Sequence, residues 1–224
     1  AGLHTQTTGF NKYYGWYYGS KDNDLGAWAD NLHTNSPSRR IAMSEYGVGA
    51  STTQHALNPP KPAPGGSWHP EEYQSLFHEA AWKQLADRPY IWGTFVWAMF
   101  DFASDGRNEG DRPGINDKGL VTRDRQIRKD AYYWYKANWA DTPTLHITSR
   151  RWTQRTDATT ELKVYSNADR VTATLNGVTL STLSSGDRIF RWPNITLRPG
   201  QNTVTVTATI DGTTHTDSVN WTLA

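Results

Sequence analysis

An α/β region followed by an all-β region is the architecture this sequence predicts: parallel strand–helix units, read as part of a (β/α)8 TIM barrel, over residues 1–140, then a small antiparallel sandwich of immunoglobulin type over 141–224. Three observations predict it. Short apolar runs alternate with segments of helical period in the first region and give way to period-two alternation in the second. Tryptophan is concentrated early: Trp16, Trp28, Trp68, Trp82, Trp92, Trp97, Trp134 and Trp139 precede Ala140, against Trp152, Trp192 and Trp221 after it. Two turn dipeptides, Asn176-Gly177 and Asp211-Gly212, punctuate the alternating part.

Thr7 to Tyr14 reads as the first strand and Asp22 to His33 as the first helix, with Leu25, Trp28 and Leu32 on one face. Arg40 to Ser44 is a brief second strand. A loop rich in proline and glycine leads to Pro70-Glu71-Glu72. Proline and acids suit a helix start, where the first N–H groups are unpaired and the dipole is positive. That helix sets Tyr73, Leu76, Phe77, Ala80 and Ala81 on one face and stops before Pro89.

Tyr90 to Phe100 is nearly continuously apolar, as in a strand of a parallel sheet covered on both faces. A polar loop, Asp101 to Arg125, precedes a last helix at about Arg128 to Trp139. A closed barrel needs eight units and about 250 residues, so three imply a fragment. Its open strand edge calls for cover, from the N-terminal remainder of the same polypeptide or from self-association into a homo-oligomer. After Asp141-Thr142-Pro143, apolar residues alternate at Leu162 and Val164, at Val171, Ala173 and Leu175, and from Val204 to Ile210, with Ser218 to Leu223 last. Short strands closed by frequent turns are the pattern of an immunoglobulin-like sandwich.

Lys+Arg 23 against Asp+Glu 22 gives no electrostatic reason to expect nucleic acid or an anionic membrane as partner. No window nears the roughly 18 apolar residues of a spanning helix. The absence of cysteine excludes disulfides and thiolate metal sites, and His78-Glu79 lacks the second histidine of a zinc-protease helix. No cofactor and no metal are expected. The outlier is aromatic content, 11 Trp, 11 Tyr and 6 Phe, and such flat amphipathic rings serve cores and sugar-stacking sites alike.

Ser44-Glu45-Tyr46-Gly47 lies where a strand meets a loop, the edge of an α/β barrel from which reacting groups project. Around it in sequence stand Asn11-Lys12-Tyr13-Tyr14-Gly15-Trp16-Tyr17, Trp92-Gly93-Thr94-Phe95-Val96-Trp97, Gly114-Ile115-Asn116-Asp117-Lys118-Gly119-Leu120 and Lys129-Asp130-Ala131-Tyr132-Tyr133. In order and spacing these segments resemble the last part of the barrel, about strands six to eight, in glycoside hydrolase family 2. That family includes β-galactosidases, β-glucuronidases and β-mannosidases.

The resemblance implies a retaining β-glycosidase acting on a carbohydrate substrate, with Glu45 as catalytic nucleophile. It further implies that Asn11, Tyr13 and Tyr17 bind the nucleophile or the sugar, and that Trp97 forms an aromatic wall. The family's general acid/base is a Glu following Asn at the end of strand four. Here Asn108-Glu109 falls after Trp97, so the acid is expected upstream of Ala1 and Glu109 in a charged, solvated loop. Asn116 and Lys118 reproduce the Asn-x-Lys pair that grips the sugar carboxylate in β-glucuronidases. The longer wording of the same segment, with His69-Pro70-Glu71-Glu72-Tyr73-Gln74, is nearer to bacterial members called β-galactosidases, and galactose is the preferred expectation for the glycone. The competing expectation is a non-catalytic carbohydrate-binding or structural module. A bacterial periplasmic or secreted location is expected.

Overall fold

The computed structural model describes residues 6–224 and divides into two compact units, one ending at Lys129 and the other starting at Asp130. The first unit opens with β1 (Thr7–Asn11), α1 (Asp24–Asn35), β2 (Arg40–Tyr46), α2 (Glu71–Ala86) and β3 (Ile91–Val96). The three strands form one parallel sheet in the order β1-β2-β3. The middle strand is well buried, with Ile41, Ala42 and Met43 in its first half and Tyr46 at its end, as a strand covered on both faces requires.

Helix α2 begins just after Pro70, close to the start read from the sequence, yet its buried surface is wider than its apolar stripe. Glu71, Glu72, Gln74 and His78 are buried beside Tyr73, Phe77 and Ala81. The polar members brace loops: Gln74 Nε2 donates to the carbonyls of Val48 (3.0 Å) and Gly119 (3.3 Å), and Glu72 accepts from the Ala56 N–H (3.2 Å).

The apolar run from Tyr90 stays a strand only to Val96. It is the edge of this sheet, with Trp92 and Phe95 exposed, so the expected cover on both faces is not met within the described residues. The polar loop that follows contains a short antiparallel pair, β4 (Phe102–Ala103) with β5 (Ile115–Asn116), which was not expected. Two-residue strands carry no periodicity to read.

The second unit starts with α3 (Asp130–Trp139) and continues through β6 (Leu145–Ile147), β7 (Gln154–Arg155), β8 (Thr159–Ser166), β9 (Arg170–Leu175), β10 (Val178–Ser184), β11 (Ile189–Thr196), β12 (Gly200–Ile210) and β13 (Thr213–Leu223). One sheet runs β10-β9-β12-β13-β7 and the other β11-β8-β6. Both share one core, in which Val171, Val204, Val206 and Trp221 meet Leu162, Val164, Phe190 and Trp192.

Asn176-Gly177 and Asp211-Gly212 are the expected hairpin turns: all four residues have positive φ, and Leu175 pairs with Val178 and Ile210 with Thr213. Helix α3 belongs with this unit, eleven residues before the expected boundary at 140. The physical reason lies in its side chains. Trp134 packs 5.6 Å from the Tyr165 ring of β8, Tyr133 stacks on His146 of β6 at 3.7 Å, and the Asp130 carboxylate binds His146 Nε2 (2.9 Å) and the Ser149 N–H (2.6 Å). Burial alone would raise the Asp130 pKa, but the His146 hydrogen bond and the charge of Arg151 hold it far below the ordinary range.

Candidate active site

Glu45 lies on β2, one residue before the strand ends. The ladder slips there on both sides. Phe10 pairs with Met43 but Asn11 with Glu45, and Met43 pairs with Thr94 but Tyr46 with Val96. An extra residue on one strand bends it and re-aims its side chains, and here the bulge falls at Ser44–Glu45. The backbone is nonetheless fixed, because the Lys12 N–H donates to the Glu45 carbonyl at 2.8 Å and Ser44 Oγ donates to Asn11 Oδ1 at 2.7 Å.

The half-buried carboxylate meets Tyr13, whose hydroxyl donates to Glu45 Oε2 at 2.7 Å. Burial first, then that hydrogen bond and the charge of Glu45, push the Tyr13 hydroxyl well above the ordinary phenol range, so it remains a donor. The Tyr17 ring stands edge-on to Tyr13, centroids 5.2 Å apart.

Trp97 follows β3 and is tied to β2 through its backbone, its N–H donating to the Tyr46 carbonyl at 2.9 Å. Its own carbonyl fills the space beside Gly47: a Cβ built there would lie 1.9 Å from that oxygen. The Trp97–Ala98 peptide is cis. Ala98 then donates to the Lys118 carbonyl (3.1 Å) and accepts from Leu120 N–H (2.9 Å), which draws residues 118–120 to the end of β3. The half-buried indole of Trp97 packs edge-on against Phe102 at 5.7 Å.

A cationic corner completes the arrangement. Lys118 is buried, with Nζ 5.4 Å and 5.5 Å from the ring centroids of Trp16 and Tyr17 and 3.4 Å from Glu109 Oε1. Arg107 donates to the same Glu109 oxygen. Asn116 is buried, and its Oδ1 accepts from the Lys118 N–H at 3.1 Å. The corner is held from behind by Lys129, fully buried, which donates to the carbonyls of Ala50 and Asp117 (both 2.8 Å) and to Asp101 Oδ1 (2.9 Å). Asp117 Oδ2 in turn meets His69 Nδ1 at 2.6 Å. Burial opposes the charge on Asp117, but His69 and the two lysines outweigh it and its pKa is lowered.

Of the residues singled out from the sequence, Tyr13 and Glu45 touch directly, and Tyr17 reaches from Tyr13 to Lys118. Trp97 and Lys118 are linked through Ala98, and Asn116 orders the Lys118 backbone. Asn11 is engaged by Ser44 rather than by the Glu45 carboxylate. Sequence reasoning missed Arg107 and misplaced Glu109, which is 8% exposed rather than solvated. A loop rich in Asp, Arg and Gly gives no periodic signal that two of its charges fold inward. Trp16, His69, Asp101 and Lys129 were missed likewise, although each lies in or beside a segment that carried the resemblance.

A family model described as a domain of unknown function (DUF4982) matches residues 157–215. A β-glucuronidase of Bacteroides fragilis is 42% identical over 205 residues, 91% of this chain and 29% of that protein. This chain is a relative of the β-glucuronidase and β-galactosidase glycoside hydrolases. Among solved structures, an FMN-binding β-glucuronidase of Facaelibacterium prausnitzii L2-6 superposes with a TM-score of 0.90 at 38% identity, covering 100% of this chain and 33% of that one. A Bacteroides fragilis protein provisionally named a β-galactosidase gives 0.92 at 34% identity, covering 98% and 33%. The β-glucuronidase 2 of Bacteroides uniformis, covalently bound to cyclophellitol-6-carboxylate aziridine, gives 0.87 at 30% identity, covering 98% and 26%. The chain thus spans about a third of these glycosidases at most.

Proposed function

We propose that this chain is the C-terminal part of a family 2 retaining β-glycosidase, containing the last strand–helix units of its (β/α)8 barrel and an immunoglobulin-like domain. In this reading Glu45 is the nucleophile. The observation that carries it is the 2.7 Å hydrogen bond from Tyr13 to Glu45 Oε2 at the C-terminal ends of two neighbouring parallel strands. A retaining enzyme needs an ionised carboxylate in line with the anomeric carbon and a protonated one about 5 to 5.5 Å away. The phenol holds one oxygen of Glu45 and leaves the other to attack, and the acid comes from elsewhere in the polypeptide. Trp97 offers a ring face to the sugar, where apolar C–H groups and developing positive charge are both favoured.

For the glycone we propose a β-glucuronide ahead of a β-galactoside, reversing the preference drawn from sequence wording. Two cations, Lys118 and Arg107, gather on the carboxylate of Glu109, which places an ammonium and a guanidinium in the corner where a sugar carboxylate would sit. The Bacteroides uniformis relative carries a covalent ligand that is itself a 6-carboxylate. Galactose remains the second reading, favoured by the similarity to the Bacteroides fragilis protein of that name.

The test is labelling of the full-length protein with 2-fluoro glycosyl fluorides. A covalent adduct on Glu45, formed faster with the glucuronyl than the galactosyl reagent and absent in Glu45→Gln, is expected. An adduct on another carboxylate would refute the nucleophile, and faster labelling by the galactosyl reagent would restore the second reading.

A further inference from the structure

Glu109 is the acid that both Arg107 and Lys118 meet, and the proposed bond cleavage does not use it. It is 8% exposed, so its burial beside two cations is a built feature rather than a surface ion pair. The two contacts differ. Arg107 grips Glu109 Oε1 closely, whereas Lys118 Nζ stands back at 3.4 Å, longer than the roughly 2.7–2.9 Å of a charge-assisted hydrogen bond. Lys118 is therefore the partner that can exchange.

We propose that Glu109 is a specificity-determining residue, a carboxylate held by Arg107 that screens the Lys118 ammonium and sets how strongly the site favours a sugar carboxylate over a neutral hydroxymethyl group. The inference rests on the reading of Lys118 as the group facing the sugar's sixth carbon. When a uronic acid enters, Lys118 turns from Glu109 to the sugar carboxylate. Glu109 stays on Arg107 and remains close enough to repel the new anion. A neutral sugar meets no such repulsion. Removing the charge of Glu109 strengthens uronate selection, and removing Arg107 frees Glu109 to claim Lys118 and weakens it.

The experiment compares kcat/KM for an aryl β-glucuronide with that for the matching β-galactoside, using the full-length protein. Glu109→Gln is expected to raise the ratio by about fivefold or more, chiefly through a lower KM for the glucuronide, given the strength of like-charge repulsion at a partly dry site. Arg107→Gln is expected to lower it. Where one substrate is too slow, the inhibition constants of D-glucuronate and D-galactose give the same ratio. A merely structural role would depress both substrates together, so an unmoved ratio in both variants overturns the proposal. If Glu109→Gln does not fold, Arg107→Gln decides alone. Wild-type protein that cleaves neither substrate refutes the glycosidase reading itself, whereas cleavage of the glucuronide with unmoved ratios refutes only the role of Glu109.

Discussion

The hydroxyl of Tyr13 and the carboxylate of Glu45 are joined by a 2.7 Å hydrogen bond between the ends of β1 and β2. A hydrogen bond to a charged group contributes about 1.5–3 kcal/mol, and on the proposed mechanism this one holds one carboxylate oxygen in line. On the proposed mechanism Tyr13→Phe lowers kcat by about 10- to 100-fold, with KM changed little. Steady-state kinetics of the full-length protein check it, and an unaffected kcat would remove Tyr13 from the mechanism.

Gly47 is predicted to tolerate no side chain. The Cβ of alanine would lie 1.9 Å from the Trp97 carbonyl, a backbone atom fixed by its neighbours' hydrogen bonds. Gly47→Ala should cost about 1–3 kcal/mol, read as a lowered urea midpoint. Activity should fall further than stability, because the two segments forced apart carry Glu45 and Trp97.

Lys129 ties three backbone segments through Ala50, Asp117 and Asp101. Lys129→Met leaves Asp101, 4% exposed, without its cation, and should cost about 3–5 kcal/mol. The double variant Lys129→Met/Asp101→Leu should recover part of that loss. Equal destabilisation of single and double variants would show that the backbone contacts, not the ion pair, dominate.

His78 is fully buried, and burial together with the charge of Lys129 pushes its pKa down to about 3. In the unfolded chain it titrates near 6.5. Below about pH 6.5 the unfolded state takes up a proton that the folded state refuses, so the stability held above that pH is lost as pH falls towards 3. The slope is up to about 1.4 kcal/mol per pH unit, and His78→Gln should flatten it. Denaturation midpoints from pH 7 to pH 4 provide the comparison, and parallel curves would contradict it.

Elements with a repeating pattern or a named turn were legible in the sequence. The helices α1 and α2 and the strand β2 lie within a few residues of expectation, because periodicity and capping residues act locally. The hairpins at Asn176-Gly177 and Asp211-Gly212 were equally readable, since only such residues adopt positive φ cheaply. The bulge at Ser44–Glu45 was not, because ladder register depends on both neighbouring strands at once. Nor was the inward turn of Arg107 and Glu109, which depends on a cation, Lys118, that lies outside the loop. In β6, β7 and β11 the alternation is too short, or too interrupted by charge, to separate from loop.

Glu45 rides on a strand paired along both edges, whereas Arg107 and Glu109 sit between the two short strands of a small antiparallel pair. On the proposed function, a lineage under pressure to accept a different sugar could therefore rewrite the loop between Ala103 and Ile115 while the proposed nucleophile kept its aim. Chemistry and choice of substrate would then evolve on separate pieces of backbone.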